Sequence, residues 1–453
     1  MSLHPAVCYD QEGLTWLKHM GRQTSKRILS GVGQLTLVEH ALCPIDARHS
    51  VGRELNHETT FQFTNKNRKR CTGHARVLCP LGLTPDDELL VWGLLALTLA
   101  EKSSGGELYA TRHYLMRHLG LIDPGSRRGG RQYTDFTLAI DRIAAVQYFN
   151  DSFYDPIRGE HVKANFGFFS YILPADVKSS RAWRIVWDPV FFQYASAARG
   201  ALRFDFEICR NLNAPSRRLY LFASKLLHGC QVTHPVDVRE LAVNVLGYDD
   251  ALSQSQLNAR VRESLQRLVE FGILSRDLTR LYKRAKSRYA VVMAKGKTLR
   301  RRRSLVAIES PLLEPLGELG FEPTDAGKLI EQFDIRLLRE WIDITMAAKE
   351  HYGLRFFKKS PAAYLRFNLN LAAEGKTGPP DWWHDMRRKS ANAQAKRART
   401  RTSTRGIDQL PEKALVSLDE VRDAIFHQLI DAGQPKSEAL KIARLVASSK
   451  PRP

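Results

Sequence analysis

Residues 253–293 read SQSQLNARVRESLQRLVEFGILSRDLTRLYKRAKSRYAVVM, and the two halves of the stretch differ in kind. Ser253 to Phe271 predicts a helix that stops at Gly272. Ile273 to Met293 then interleaves cations with the β-formers Leu281-Tyr282 and Tyr289-Ala-Val-Val-Met293, as in a hairpin. Upstream, Pro215-Ser-Arg217-Arg-Leu-Tyr220 opens a helix through Leu227, and Val238 to Leu246 forms a second that Gly247 ends. Three helices followed by a hairpin is the order of a winged helix: the third helix enters the major groove and the hairpin touches backbone or minor groove.

The same order occurs once before. Thr84-Pro-Asp-Asp-Glu88 is a strong helix start, with Thr84 as N-cap, Pro85 at the first helical position and acids in the first turn. A second helix, Thr111 to Leu119, stops at Gly120, and a third runs from Tyr133 to Ala145. Extended segments follow at Gln147–Phe149, Phe166–Ile172 and Trp183–Trp187, and the hairpin of this earlier unit is expected over Phe149 to Phe169. Leu119-Gly120 corresponds to Leu246-Gly247, and Asp141-Arg142-Ile143 to Gln266-Arg267-Leu268.

The fold class expected is α+β and mainly helical: two tandem winged-helix domains, a small all-α module, and a basic, partly disordered linker and tail. The boundaries are an N-terminal arm over 1–76, winged helices over 77–205 and 206–298, a linker over 299–310, a helical module over 311–377, a flexible basic linker over 378–412 and a helical tail over 413–453. Within the tail, Ser417-Leu-Asp-Glu420 is a capping box.

The chain has 453 residues with 69 Lys+Arg against 48 Asp+Glu, a formal charge of +21. That charge is concentrated. Arg276 to Arg303 holds twelve cations and one acid, and Met386 to Arg405 holds eight cations and none, so these windows carry nineteen of the twenty-one excess charges. Charge so clustered attracts a polyanion, and counterion release makes duplex DNA the natural partner. Neither window has the Trp/Phe/Leu face of an interfacial helix, so no membrane partner is expected. The longest apolar stretch, Leu89 to Ala100, is too short to span a bilayer, and the first residues lack the pattern of a signal peptide, so a cytoplasmic location is expected.

The order Leu89-Leu-Val-Trp, Thr111-Arg-His-Tyr-Leu-Met-Arg-His-Leu-Gly120, Trp187-Asp-Pro, Phe204-Asp-Phe206, Pro215-x-Arg217-Arg-Leu-Tyr-Leu-Phe222 and Val238-Arg-Glu-Leu-x4-Leu-Gly247 resembles the bacterial plasmid replication initiator protein A family. The resemblance covers roughly residues 77 to 295, with residues 320 to 370 similar to the C-terminal extension of such initiators. It implies a tandem winged-helix protein that binds repeats at a plasmid origin, helps open the duplex and recruits host replication proteins such as an initiator and a helicase. Initiators of this kind switch between dimer and monomer, so a homodimer is one implied assembly state, although no heptad seam fixes an interface. The alternative is a winged-helix regulator acting on its own promoter without replication activity.

Within that frame the base-reading candidates are Ser255, Gln256, Asn258 and Arg262 in the second domain and Arg131, Gln132 and Thr134 in the first, since Arg reads guanine bidentately and Gln or Asn reads adenine. Phosphate candidates are Arg127, Arg128, Arg260, Arg267, Arg276, Arg280, Lys283, Arg284, Lys286 and Arg288.

No catalytic role is expected. Gly296-Lys297-Thr298 and Gly375-Lys376-Thr377 lack the first Gly of a phosphate-binding loop, and no His-x-His pair is present to hold a nickase's metal. Six cysteines in this length read as reduced thiols. Cys71, His74 and Cys79 supply three potential zinc ligands without a C-x-x-C pair, so no metal or cofactor is assigned.

Overall fold

The computed structural model describes residues 28–389 apart from 29, 47–50, 66–68, 102–104, 123–129, 175, 177–178, 198, 286–287 and 301–309. The chain divides after Trp383 into Met1–Trp383 and His384–Pro453. Residues 1–27, the arginines at 301–303, most of the 378–412 linker and the 413–453 tail lie outside the described residues.

Three strands come from the segment read as an arm: β1 (Ser30–Gln34), β2 (Leu55–Thr64) and β3 (Arg70–Cys79). β2 and β3 pair antiparallel from Leu55↔Cys79 to Thr64↔Arg70, so β3 runs straight through the boundary expected at residue 76. Their inward side chains, Phe61, Ala75 and Val77 among them, are buried, as alternation on a half-buried strand requires.

The next helix is α1 (Pro85–Ala100), capped by Thr84 in a reciprocal box with Asp87. It is apolar on nearly every side and buried along most of its length, the pattern of a central core helix. β4 (Glu107–Ala110), α2 (Arg112–His118) and α3 (Gly130–Ala144) follow. Then come β5 (Gln147–Asp155), β6 (Glu160–Gly167), β7 (Phe169–Ile172) and β8 (Trp183–Trp187). The hairpin expected at 149–169 is present as β5 and β6, but its sheet partners differ from those of a hairpin packed on its own three helices. It joins β2 and β3 in a sheet of order β2-β3-β5-β6, whereas β7 and β8 pair beside β4 in the order β4-β8-β7.

α4 (Pro189–Ser196) leads to β9 (Ala201–Asp205), which pairs antiparallel with β1. After the short α5 (Phe206–Asn211), the second repeat begins with α6 (Ala214–Leu226) and β10 (Val236–Asp237). α7 (Val238–Glu240) continues as a π-helical turn through Val245. α8 (Gln254–Glu270) and the hairpin β11 (Arg280–Ala285) and β12 (Arg288–Val292) complete it, with sheet order β10-β12-β11. Apart from the β5–β6 hairpin that intervenes in the first, both repeats run helix, strand, helix, helix, hairpin, and in both the last strand of that hairpin lies between its partner and the first strand. The second helices also end alike. Gly120 and Gly247 have φ of 69° and 83°, and a guanidinium packs where a Cβ would stand, Arg210 over Gly120 and Arg218 over Gly247.

The acidic first turn of α1 ties the body together. Asp86 pairs with Arg217, Asp87 accepts two bonds from Arg142 at 2.8 and 2.7 Å, and Glu88 takes the fork of Arg218, with Nε to Oε2 at 2.9 Å. Arg218 is buried and also donates to Leu246 O at 2.6 Å. Burial alone would lower its pKa, yet the Glu88 carboxylate outweighs this and holds it above the ordinary guanidinium value.

α9 (Lys297–Arg300) follows the hairpin, and a helical module comes next: α10 (Leu313–Glu318), α11 (Pro323–Gln332), α12 (Ile335–Tyr352) and α13 (Pro361–Ala373). Leu338, Trp341, Ile342, Leu365 and Leu369 bury its interior. It docks on the first repeat through Arg339–Glu101, Thr111 and His113 on Glu314, and Arg181 on Asp343.

Candidate nucleic-acid interface

α8 owes its length to a capping box and a clean apolar stripe. Ser253 accepts from Gln256 N, and Leu257, Val261, Leu265 and Leu268 face the core. Its outer face presents Ser255, Arg260, Arg262, Gln266 and Arg267 to solvent. Two of the seven-residue-spaced cations sit near acids, Arg260 with Glu263 and Arg267 with Glu270, each at 3.9 Å. Exposed pairs this long are worth little and give way readily to phosphate.

Two base-reading candidates are placed differently from the expectation. Asn258 lies on the buried side of α8, 8% exposed, and its side-chain carbonyl accepts from Gln254 Nε2 at 2.9 Å. Gln256 spends its side-chain oxygen on the cap, accepting from Ser253 N at 2.9 Å. Polarity alone does not place a residue on the outer face: Asn258 is one turn on from Gln254, with Leu257 and Val261 beside it. Ser255 and Arg262 remain outward and exposed.

Among the described residues the hairpin concentrates the cations. Arg276, Arg280, Lys283, Arg284 and Arg288 are all exposed, and among the described residues none has an ion-pair partner. Arg280 lies over the Tyr282 ring with 5.8 Å to the centroid, which pre-orders its guanidinium. A β-bulge at Lys283/Ala285 turns the strand just before the tip. Lys286 lies outside the described residues. Between α8 and β11 runs an open groove of about 340 Å³ lined by Arg262, Gln266, Glu270, Arg276, Thr279 and Arg280. Three sequence-predicted cations thus converge on one concavity. Gln266, one turn beyond Arg262 and hydrogen-bonded to Glu270 Oε1 at 3.3 Å, also lines this groove; its position four residues after Arg262 was the available signal in the sequence.

The first repeat differs. Arg131, Gln132 and Thr134 are exposed on the first turns of α3. Arg131 pairs loosely with Asp135 at 3.8 Å and the Thr134 hydroxyl donates to Gly130 O at 3.1 Å. Arg127 and Arg128 lie outside the described residues. The hairpin β7–β8 is tied to the helical module. Arg181 donates to Asp343 at 3.0 and 2.8 Å, Trp383 Nε1 donates to the same carboxylate at 2.8 Å, and Glu350 accepts from the Ser179 hydroxyl at 2.7 Å and from Ser180 N at 3.2 Å. Two acids of α12, Asp343 and Glu350, thus engage the connection between β7 and β8.

Cys71, His74 and Cys79 share strand β3. Cys71 and Cys79 are eight residues apart, roughly 26 Å along a strand, and the buried Cys79 thiol donates to Gly82 O at 3.0 Å. Burial pushes its pKa up to about 11, away from the thiolate a metal needs. Among the described residues no three His, Cys, Asp or Glu cluster as a metal site, and no helix is long and apolar enough to cross a membrane.

No protein-family model and no curated protein matches the chain. Among solved structures, the chain is similar to a selenomethionine derivative of domains 2 and 3 of RctB, with 15% identity over 57% of this chain and 96% of that one and a TM-score of 0.39, a likeness too distant to carry an argument.

Proposed function

We propose that both repeats are winged helices and that the chain is a sequence-specific duplex-DNA-binding replication initiator of the plasmid type, acting without catalytic chemistry of its own. The observation that carries the reading is the cationic hairpin beside α8: five exposed cations with no ion-pair partner among the described residues, next to an outward Arg262, on the element order that places a third helix in the major groove. In this reading Ser255, Arg262 and Gln266 face base edges, while Arg276, Arg280, Lys283, Arg284 and Arg288 neutralise phosphates and set register. The first repeat contributes less, because its hairpin is held by α12. The same interface would serve a promoter-bound regulator. The helical module packed against the first repeat, and the long segment after it, favour an assembly that must also engage host replication proteins.

Five phosphate contacts give a salt slope of about −4.5, so affinity for the target duplex falls roughly 500-fold between 50 and 200 mM salt. In the variant Lys283→Ala, Arg284→Ala, Arg288→Ala the slope becomes about −1.8 and the same change in salt costs roughly 12-fold. An unchanged slope removes the hairpin from the interface. A replication-defective plasmid carrying the repeats beside the gene tests the initiator reading: autonomous replication in cells supplying the chain is expected, and binding without replication leaves a regulator.

A further inference from the structure

A second surface, remote in sequence from the cationic hairpin, has a different chemistry. At the end of α12, Tyr352 and Phe356 stack with their ring centroids 5.2 Å apart and 15° between planes. Trp382 meets Tyr352 edge-on at 5.5 Å, and Tyr364 meets Phe356 at 5.6 Å. The stack is not sealed: Tyr352 is 44% and Phe356 36% exposed, and Leu354 between them is 66% exposed. One turn beyond Tyr364, Phe367 on α13 is 64% exposed.

Cations surround these rings. Arg355, Lys358 and Lys359 are exposed and have no ion-pair partner among the described residues. Between Glu350 and Glu374 the chain has no acid at all. Glu350 is engaged by Ser179 and Ser180, Glu374 pairs with Lys376, and Asp381, beside Trp382, is the next acid along the chain.

Exposed aromatic faces alone invite a protein or the chain's own tail. The charge argues against the tail: residues 390–453 hold twelve Lys/Arg and seven Asp/Glu, so they repel the patch. Rings open on one side, with fixed cations alongside and few acids, are what unpaired bases need, since every base offers a π-face and a phosphate follows at each step. Duplex DNA, whose bases are stacked on one another, offers no face to Tyr352 or Phe356.

We propose that the Tyr352–Lys359 segment, with Trp382, is a binding site for single-stranded DNA, the rings stacking bases and Arg355, Lys358 and Lys359 gripping the backbone. The proposal extends the initiator reading, in which an opened duplex supplies such a strand, and it is tested apart from it.

The probe is a labelled oligothymidylate of about 16 nucleotides, a length that fills a typical single-strand site, with a repeat-bearing duplex measured in parallel on the full chain. Replacing Arg355, Lys358 and Lys359 together with Ala touches exposed side chains only. It is expected to flatten the oligothymidylate salt slope by about 2 while leaving the duplex slope unchanged. Tyr352→Ala with Phe356→Ala is expected to weaken oligothymidylate about five- to 150-fold per stacked base lost. Oligothymidylate binding that matches the parent in both variants overturns the proposal and points to a protein on this surface. Equal loss of single strand and duplex overturns it too, because the patch then has no preference for unpaired bases. Failure of the initiator reading shows separately, as an unchanged duplex slope in the Lys283, Arg284, Arg288 variant.

Discussion

Replacing Glu88 with Gln leaves Arg218 charged, buried and without its counter-ion. In the native structure the guanidinium is 6% exposed and donates to both Glu88 oxygens, to Leu246 O and to Cys43 Sγ. The cost is that of a broken buried pair, about 3–5 kcal/mol. That is roughly a hundred- to several-thousand-fold in the unfolding equilibrium. With an m-value of about 3 kcal/mol/M, the urea midpoint followed by Trp fluorescence falls by about 1–1.7 M. The companion variant, Glu88→Leu with Arg218→Leu, removes both charges and recovers most of the loss, because apolar replacement of a whole buried pair is close to neutral. The Leu246 carbonyl keeps the recovery short of complete. If Glu88→Gln costs less than about 1 kcal/mol, or if the double variant costs the sum of its parts, solvent screens the pair and the clamp between α1 and α6 is not what holds the repeats together.

Three other outcomes follow from the geometry. His40, bonded to Tyr148 Oη at 2.8 Å, is held down to about 4 by burial, and His118 to about 3 by burial and the neighbouring Arg117. Both are neutral in the folded chain while the unfolded chain protonates them near pH 6.5, so the unfolded state binds more protons and stability falls as pH drops below about 6.5. The loss reaches about 2 kcal/mol per histidine by pH 5, and a urea midpoint that is flat from pH 7 to 5 refutes it. Arg262→Ala relaxes discrimination at one base pair by about 1–3 kcal/mol in competition binding, whereas Asn258→Ala costs about 1 kcal/mol of stability and leaves base preference intact; the reverse pattern would put Asn258 on the outer face. Arg181→Ala, by stranding Asp343 against the first hairpin, raises tryptic cleavage between the first repeat and α12 by the equivalent of about 3 kcal/mol, and unchanged cleavage would mean that other contacts suffice to hold the module.

The helices were legible because their ends are chemical. Thr84, Ser253, Gly120 and Gly247 are caps and stops whose effect is local. What escaped was non-local. β2 and β3 flank a Lys66–Arg70 run that reads as an arm, and β3 is held in its sheet by β5, about 70 residues on. The β5–β6 hairpin, with its Gly159 turn, was legible locally, whereas the pairing of β7 with β8 across a ten-residue connection, and of β8 with the distant β4, was not. Asp86, Asp87 and Glu88 suit a helix N-terminus on dipole grounds alone, and that sufficed to hide their three arginine partners. In the interface, the charge count located the hairpin, since charge is additive along the chain. It could not say that Asn258 turns inward, although Ser253-x-x-Gln256 was readable as a capping box that would have withdrawn Gln256.

The pairing of β1 with β9 has a consequence for biosynthesis. Ser30–Gln34 finds its partner at Ala201–Asp205, so when the strand leaves the ribosome about 170 residues must still be made before its hydrogen bonds can close. At about 5–20 residues per second that wait is roughly 9–35 s. Throughout it, a strand edge whose Val32 is destined for the core stays open to other chains. Translation speed between the codons of Gln34 and Ala201 therefore sets how long this protein depends on chaperones, and slow codons placed there would lower soluble yield without altering a single contact of the finished fold.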